Sequence, residues 1–532
     1  MAPAWASRKR MPQPPSAHDQ GAHPLVLVYA AVVVGVVFAS LVGPLPRWPG
    51  LAHEVALPPL DLFADVRVLM ARAPSNPVFV VGVVAALVVR AALLAAILGF
   101  TRQRFGFAVR FYVAALAPAL IASGLDFSGR AILYAYLIWA GLLITLITFG
   151  ALGAAAWAGS DALHTAFARA FGQHLRLGTL ACYLVALAII GDIWRRPGGT
   201  GQVLLVPLSG ALTAVTALRL SAPRRHLSLR RFAIATAVIV AVAAITVVEG
   251  RRGTGGGADR ATTKARRGSL LLVAGVDTST GHGAMFRFDP TLIGFSCQQT
   301  FYYSYRGPGP GGPQGDARCP IRRGAPYHQT DTTRPLRLLA SALRAQIVGL
   351  PRPVVVITHS QGAWIAWEEI TANDDNAVSA LVMLAPFNQG LAPYPPPGRH
   401  RAGAAGGMAA RYVTDLSRSM GISKFDPDAP LARELQGTPG AVARLVAHRL
   451  PPTVRSTAVL ARADLPLEPR AWPNRLPQAC PGWLTHAALP TSPVVATAVD
   501  RFLDGERLAT CPRWIAALGH TADAFGAPTP GA

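Results

Sequence analysis

Apolar positions fall into two regimes along the chain. Before residue 250 they form seven long, nearly uninterrupted stretches: Leu25–Leu45, Val78–Phe100, Phe107–Leu125, Ala131–Trp157, Leu177–Trp194, Val203–Leu220 and Phe232–Val248. Each comes near the ~20 residues a helix needs to cross ~30 Å of hydrocarbon, so the pattern predicts a multi-pass α-helical membrane domain of about seven spans over residues 1–248. The first stretch follows Arg8, Lys9 and Arg10 and could equally be an uncleaved signal sequence. After residue 268 the runs shorten. Ser269–Ala274, Thr300–Tyr305, Val354–Ile357, Val378–Leu384 and Thr457–Ala461 read as strands, and Pro335–Leu350, Ala363–Ala372 and Pro493–Leu503 as helices. Strands alternating with helices predict a mostly parallel sheet covered by helices on both faces. Residues 249–268 are rich in Gly, Arg and Thr with no apolar period and read as a flexible linker. The remaining 269–532 suit one α/β domain, with 388–455 as an insertion capping its top.

Composition sharpens this division. Only 14% of the 532 residues are charged, the mean hydropathy is +0.34, and the apolar excess lies almost wholly in the first half. The net charge of +23 fits basic residues flanking spans, where they attract anionic lipid headgroups, and no nucleic-acid motif accompanies it. With the amino terminus inside, basic residues number twelve in cytoplasmic segments against six in outer loops, which sends everything after Val248 outside. Arg251, Arg252, Arg260, Lys264, Arg266 and Arg267 of the linker count the other way. Arg90 and Arg110 fall inside spans and read as snorkelling towards the inner interface, a polar path being the alternative. No span carries the paired acids or broken-helix repeats of a transporter.

Cysteine usage decides between the two orientations. Cys182 lies in a span, whereas Cys297, Cys319, Cys480 and Cys511 all follow the linker. Four cysteines there allow two disulfides, locally Cys297–Cys319 and Cys480–Cys511, one of three connectivities. Disulfides belong to an extracytoplasmic compartment, in agreement with the charge count. No Cys/His spacing indicates zinc, and no cofactor motif is present.

The candidate chemistry begins at Pro353–Trp364. A β-branched run stops at Thr358, His359-Ser360-Gln361-Gly362 follows, and a helix starts at Ala363. A strand, a sharp turn and a helix hold a serine hydroxyl clear of the sheet at a helix N-terminus, where developing negative charge is favoured. Thr358 stands where the usual pattern has glycine, and a helix-capping serine is the competing reading. A nucleophilic serine needs a base, and the base needs an orienting acid. Asp464 follows the strand Thr457–Ala461, and His486 precedes the last helix.

In Thr358–Gly362, Asp464 and His486, in that order, the carboxy-terminal half resembles an α/β-hydrolase of the lipase and esterase kind. The resemblance implies Ser360 as nucleophile, His486 as general base and acid, and Asp464 as the group fixing the imidazole tautomer. By position it also implies an oxyanion hole from the backbone N–H groups of Gln361 and of Val276 or Asp277. His359 reads as packing, His448 and His520 as weaker candidates for the base, and Glu468 as the rival acid. The leading expectation is a membrane-tethered serine hydrolase that cleaves a lipid or other acyl ester at the plasma membrane, with its catalytic domain outside. A cell-envelope acyltransferase with the same residues and a non-catalytic sensor or transport component are the alternatives. Metal, cofactor and nucleic acid are not expected; the membrane and an acyl substrate are.

Overall fold

The computed structural model describes residues 29–35, 53–158, 162–172, 177–194, 201–221, 264–373, 377–388, 403–421, 425–438, 440–467, 476–481, 484–508 and 510–511. Helices α1 (Leu60–Arg72), α2 (Asn76–Ile97), α3 (Arg102–Ala131), α4 (Ala135–Leu152), α5 (Leu163–Gly172), α6 (Leu177–Trp194) and α7 (Gly201–Ser221) make up the amino-terminal half. Among the described residues, three segments are long and apolar enough to cross a membrane: Asn76–Ile97, Arg102–Ala131 and Ala135–Trp157. Two shorter apolar helices follow, Leu177–Gly191 and Leu205–Ser221. The expected span Phe232–Val248 lies outside the described residues, as does most of Leu25–Leu45. The three long helices mark the chain as membrane-associated.

Helix α1 is a departure from the sequence reading, which left residues 60–72 as a loop between spans. It buries Leu62, Phe63, Val66 and Met70 against α2 and α3. Its acidic residues explain Arg90, whose guanidinium does not snorkel. Arg90 is buried and reaches Glu54 at 2.7 Å, Asp65 at 2.7 Å and Asp61 at 3.8 Å, and it also donates to the Glu54 carbonyl at 2.8 Å. The Tyr112 hydroxyl completes the cluster by donating to Asp61 Oδ2 at 2.6 Å. Arg110, by contrast, is exposed.

The carboxy-terminal half is a parallel sheet with helices. In chain order it holds β1 (Ser269–Val273), β2 (Thr300–Tyr302), α8 (Leu336–Val348), β3 (Val354–His359), α9 (Gly362–Ala372), β4 (Val378–Leu384), α10 (Ala404–Ser419), α11 (Ala441–Ala447), β5 (Arg455–Val459), β6 (Gln478–Ala479) and α12 (Pro493–Leu503). The strand order is β2-β1-β3-β4-β5-β6 and every pairing is parallel. All six residues of β3 are buried, as a strand covered on both faces requires. Helices α8 and α9 pack on each other, and α12 packs on the helical turn Pro290–Ile293. Two disulfides close local loops: Cys297 bonds Cys319 and Cys480 bonds Cys511, with Cα separations of 5.2 and 4.8 Å. Cys182 is free.

The strands differ from the sequence reading chiefly at their ends. β2 stops at Tyr302 because the chain turns there into a long loop, and β5 lies two residues earlier than its apolar run because its register is set by Ala380 opposite Arg455. The two-residue β6 and the helices α10 and α11 were not foreseen.

The acidic clasp on Arg90 gives a test. Arg90→Met would leave Glu54, Asp61 and Asp65 without their counter-charge, at a cost of ~3–5 kcal/mol. The thermal midpoint of the detergent-solubilised full-length protein should fall markedly. A snorkelling arginine would tolerate the change, so an unaltered midpoint would reject the clasp.

Candidate active site

The topology points to one place before any side chain is considered. From β1 the chain leads to β2 on one side, and β3, β4, β5 and β6 follow in turn on the other. Open parallel sheets form a crevice at the carboxyl ends of the strands where the order reverses. Here those ends are Val273 and Thr358, which are register partners, so the loop starting at Gly275 faces the turn at Ser360. The approach is close: a Cβ on Gly275 would stand 3.0 Å from the Ser360 Cβ and 3.2 Å from the His359 carbonyl.

Ser360 has φ +54°, in the left-handed region that a side chain makes costly. Among the described residues the other non-glycine positive φ values belong to Asp277, Ala385 and Leu133. Asp277 and Ala385 stand just past the carboxyl ends of β1 and β4. Strained backbone is thus gathered on one rim of the sheet. Ser360 is held there by its N–H donating to the Leu384 carbonyl at 2.9 Å, with α9 starting two residues on. Thr358 fits as a strand residue, fully buried, though its hydroxyl has no hydrogen-bond partner among the described residues.

The structure brings Asp464 and His486 together. Asp464 is 3% exposed in the helical turn Arg462–Leu467 after β5, and its Oδ2 accepts from His486 Nδ1–H at 2.6 Å. A carboxylate accepts from Nδ1–H, and in the neutral imidazole with that tautomer Nε2 is the nitrogen that carries the lone pair. Phe387, from the loop after β4, stacks parallel to the His486 ring with centroids 5.4 Å apart. His359, beside Ser360, lies under the same imidazole at 4.8 Å and its Nε2–H donates to the His486 carbonyl at 3.0 Å. The expected packing role of His359 therefore serves the segment that carries His486. Burial first, then the neighbouring His486, pushes the His359 pKa from 6.5 down to about 3. His448 instead ends α11 and accepts the Trp367 indole N–H on its carbonyl. His520 and Glu468 lie outside the described residues.

Of the backbone donors expected around the serine, Asp277 N–H is taken by Thr332 Oγ1 at 3.3 Å. The amides of Gln361 and Val276 have no acceptor among the described residues. The loop that carries Val276 is fixed from below, where the buried Tyr305 hydroxyl donates to the Ala274 carbonyl at 2.7 Å. The Gln361 side chain is anchored on the Thr332 carbonyl at 2.7 Å. A cavity of about 310 Å³ adjoins these residues, lined by Val276, Asp277, Thr330, Thr332 and, from the insertion, Arg418 and Asp426. A larger cleft of about 580 Å³ is lined by Trp367, Val454 and Ser456 near the amino end of β5, away from the serine. No group of three or more His, Cys, Asp or Glu side chains among the described residues is placed to hold a metal.

Helix α4 supplies a contribution that the sequence reading missed. Trp139 Nε1–H donates to the carbonyl of Ala463 at 2.9 Å, immediately before Asp464, and the Tyr136 side chain lies beside Thr485, immediately before His486. Leu133, at the turn between α3 and α4, packs on the core of the sheet. The first turns of a candidate span thus brace both loops that carry ionisable groups. Three aromatics, Tyr134, Tyr136 and Trp139, at one end of an apolar stretch are an interfacial signal, but nothing local in the sequence says what they touch.

No family profile and no curated protein sequence matches the chain. Among solved structures, the chain is similar to the N-formylmaleamic acid deformylase of Pseudomonas putida S16 at 15% identity, over 44% of this chain and 93% of that one, with a TM-score of 0.24. A likeness of that size carries no argument about activity.

Two expectations follow from the geometry. Because His359 has a folded pKa below its unfolded one, its stabilising effect is full above pH 6.5 and is lost as pH falls towards 3. His359→Gln should flatten the decline of the thermal midpoint between pH 7 and pH 4; an identical slope would show that His359 is not responsible. Trp139→Phe removes one hydrogen bond to the Asp464 loop and should lower kcat about threefold to tenfold with KM little changed. Equal loss in kcat and KM, or none, would count against a bracing role.

Proposed function

We propose that the chain is a membrane-tethered serine hydrolase that cleaves a lipid or other acyl ester, with an α/β-hydrolase domain over residues 269–532 following a membrane domain (1–248) and a linker (249–268). The observation that carries this reading is the Asp464–His486 pair at 2.6 Å, its carboxylate buried, at the same strand ends as a serine held at positive φ. Ser360 Oγ attacks the ester carbonyl while His486 Nε2 takes its proton. Asp464 holds the imidazole in the tautomer that makes this possible and stabilises the imidazolium. The oxyanion rests on the N–H groups of Gln361 and Val276, Asp277 being engaged by Thr332. The proton on Nε2 then passes to the departing alkoxide, leaving an acyl-serine and a free alcohol. Water, deprotonated by the same nitrogen, releases the acid and restores the serine.

The two disulfides support placing this domain outside the cytoplasm, and the plasma membrane is the location we propose with it. That location agrees with the charge count of the spans.

Labelling of the full-length protein by a fluorophosphonate probe should disappear in Ser360→Ala and persist in Ser279→Ala. Asp464→Asn should retain the fold and lose turnover by ~10⁴. Undiminished labelling of Ser360→Ala would end the proposal.

A further inference from the structure

Helix α10 belongs by sequence to the insertion between β4 and β5, yet it packs on the membrane-associated half. Gly406 lies so close to that half that a Cβ would stand 2.6 Å from the Met70 carbonyl and 2.8 Å from the Phe127 ring. Ala405 N–H donates to the Ala73 carbonyl at 3.4 Å, and Ala410 and Thr414 are buried on the same face. At the amino end of α10, the Asn76 Nδ2–H contacts Met408 Sδ at 3.5 Å. Asn76 opens the first long apolar segment, whose Val78, Val80, Val81 and Val84 are exposed. The start of α10 therefore stands level with the first turn of a helix whose outer surface suits only lipid.

From that point a second apolar surface continues along α10. Met408, Tyr412, Leu416 and Met420 recur every fourth residue and are 39%, 70%, 45% and 58% exposed. Side chains at that spacing form one stripe on a helix. The opposite flank is charged and satisfied, with Arg411 paired to Asp428 and Arg418 within 3.8 Å of Asp426. A buried face, an apolar flank and a charged flank describe a helix lying in a membrane interface. Its carboxyl end delivers Arg418 to the cavity beside Val276 and Asp277.

We infer that the Met408–Met420 stripe of α10 is immersed in the bilayer interface and that the cavity beside Val276 and Asp277 is filled from the membrane. The substrate is then an amphiphile resident in the bilayer, its acyl chain moving along α10 to the cavity, and not a water-soluble ester. The immersion stands on geometry alone; the substrate class rests on the serine-hydrolase reading.

Two arms separate the two parts, both with full-length protein in phosphatidylcholine–phosphatidylglycerol vesicles. A nitroxide attached at Tyr412→Cys, in a Cys182→Ser background, should collide readily with oxygen and poorly with a water-soluble nickel chelate. Ready collision with the nickel chelate places the stripe in water and overturns the immersion; protection from both reagents means protein covers it and overturns it equally. In the second arm, Tyr412→Glu combined with Leu416→Glu should lower kcat/KM on a long-chain ester carried in the vesicles by at least about tenfold while leaving a short-chain soluble ester within about twofold. Tyr412→Trp with Leu416→Met should preserve both activities. Equal loss on both esters, or loss on neither, overturns the substrate class. If the unsubstituted protein hydrolyses neither ester, the hydrolase reading fails and the substrate class with it, while the nitroxide still decides immersion.

Discussion

The carbonyl that precedes the buried carboxylate takes its hydrogen bond from an indole on a membrane-associated helix, and much of the molecule is arranged around that contact. Ala463 and Thr485 adjoin the two residues whose separation fixes the imidazole; the first turns of α4 hold Ala463 by a hydrogen bond and bring Tyr136 beside Thr485. Loops after strands are ordinarily the mobile part of such a sheet. Here their far side is pinned by a helix packed on α3 and α1, which the charges around Arg90 tie to α2. The precision of the Asp464–His486 pair is therefore a property of the whole chain, not of the sheet alone.

The same rim concentrates cost. Ser360, Asp277 and Ala385 occupy positive φ, Thr358 buries a hydroxyl without a partner among the described residues, and His359 is kept neutral where water would let it charge. Each is a local violation of what a stable sequence prefers, and all border the crevice between β1 and β3. Such clustering is expected where rigid placement of a reacting group outweighs stability. The parallel core behind it, with every residue of β3 buried, supplies the compensation.

Much of this frame was legible in the residues because the signals are local. The β-branched run ending at Thr358, the Val378–Leu384 strand and the Pro493–Leu503 helix each announce themselves within about ten residues. Asp464 and His486 were readable through chain order, and the two cysteine pairs through proximity in sequence. What escaped depends on distant partners. Arg90 looked like a snorkelling side chain because two of its acids lie in α1, which is amphipathic and too short to read as a span, and the third, Glu54, lies just before it. Trp139 finds Ala463 across 324 positions. Helix α10 hid in a segment of small residues, where Gly406 and Ala410 make sense only once α1 and α3 are beside them.

The Cys480–Cys511 bond encloses the stretch that carries His486 in a covalent loop whose ends are 31 residues apart in sequence. The bond bounds the excursions of that stretch, in addition to the packing of α12 that follows it. The stretch that carries His486 is thus bounded by a bond that is not part of the sheet, and of Ser360, Asp464 and His486 it holds the one that a covalent cross-link spans.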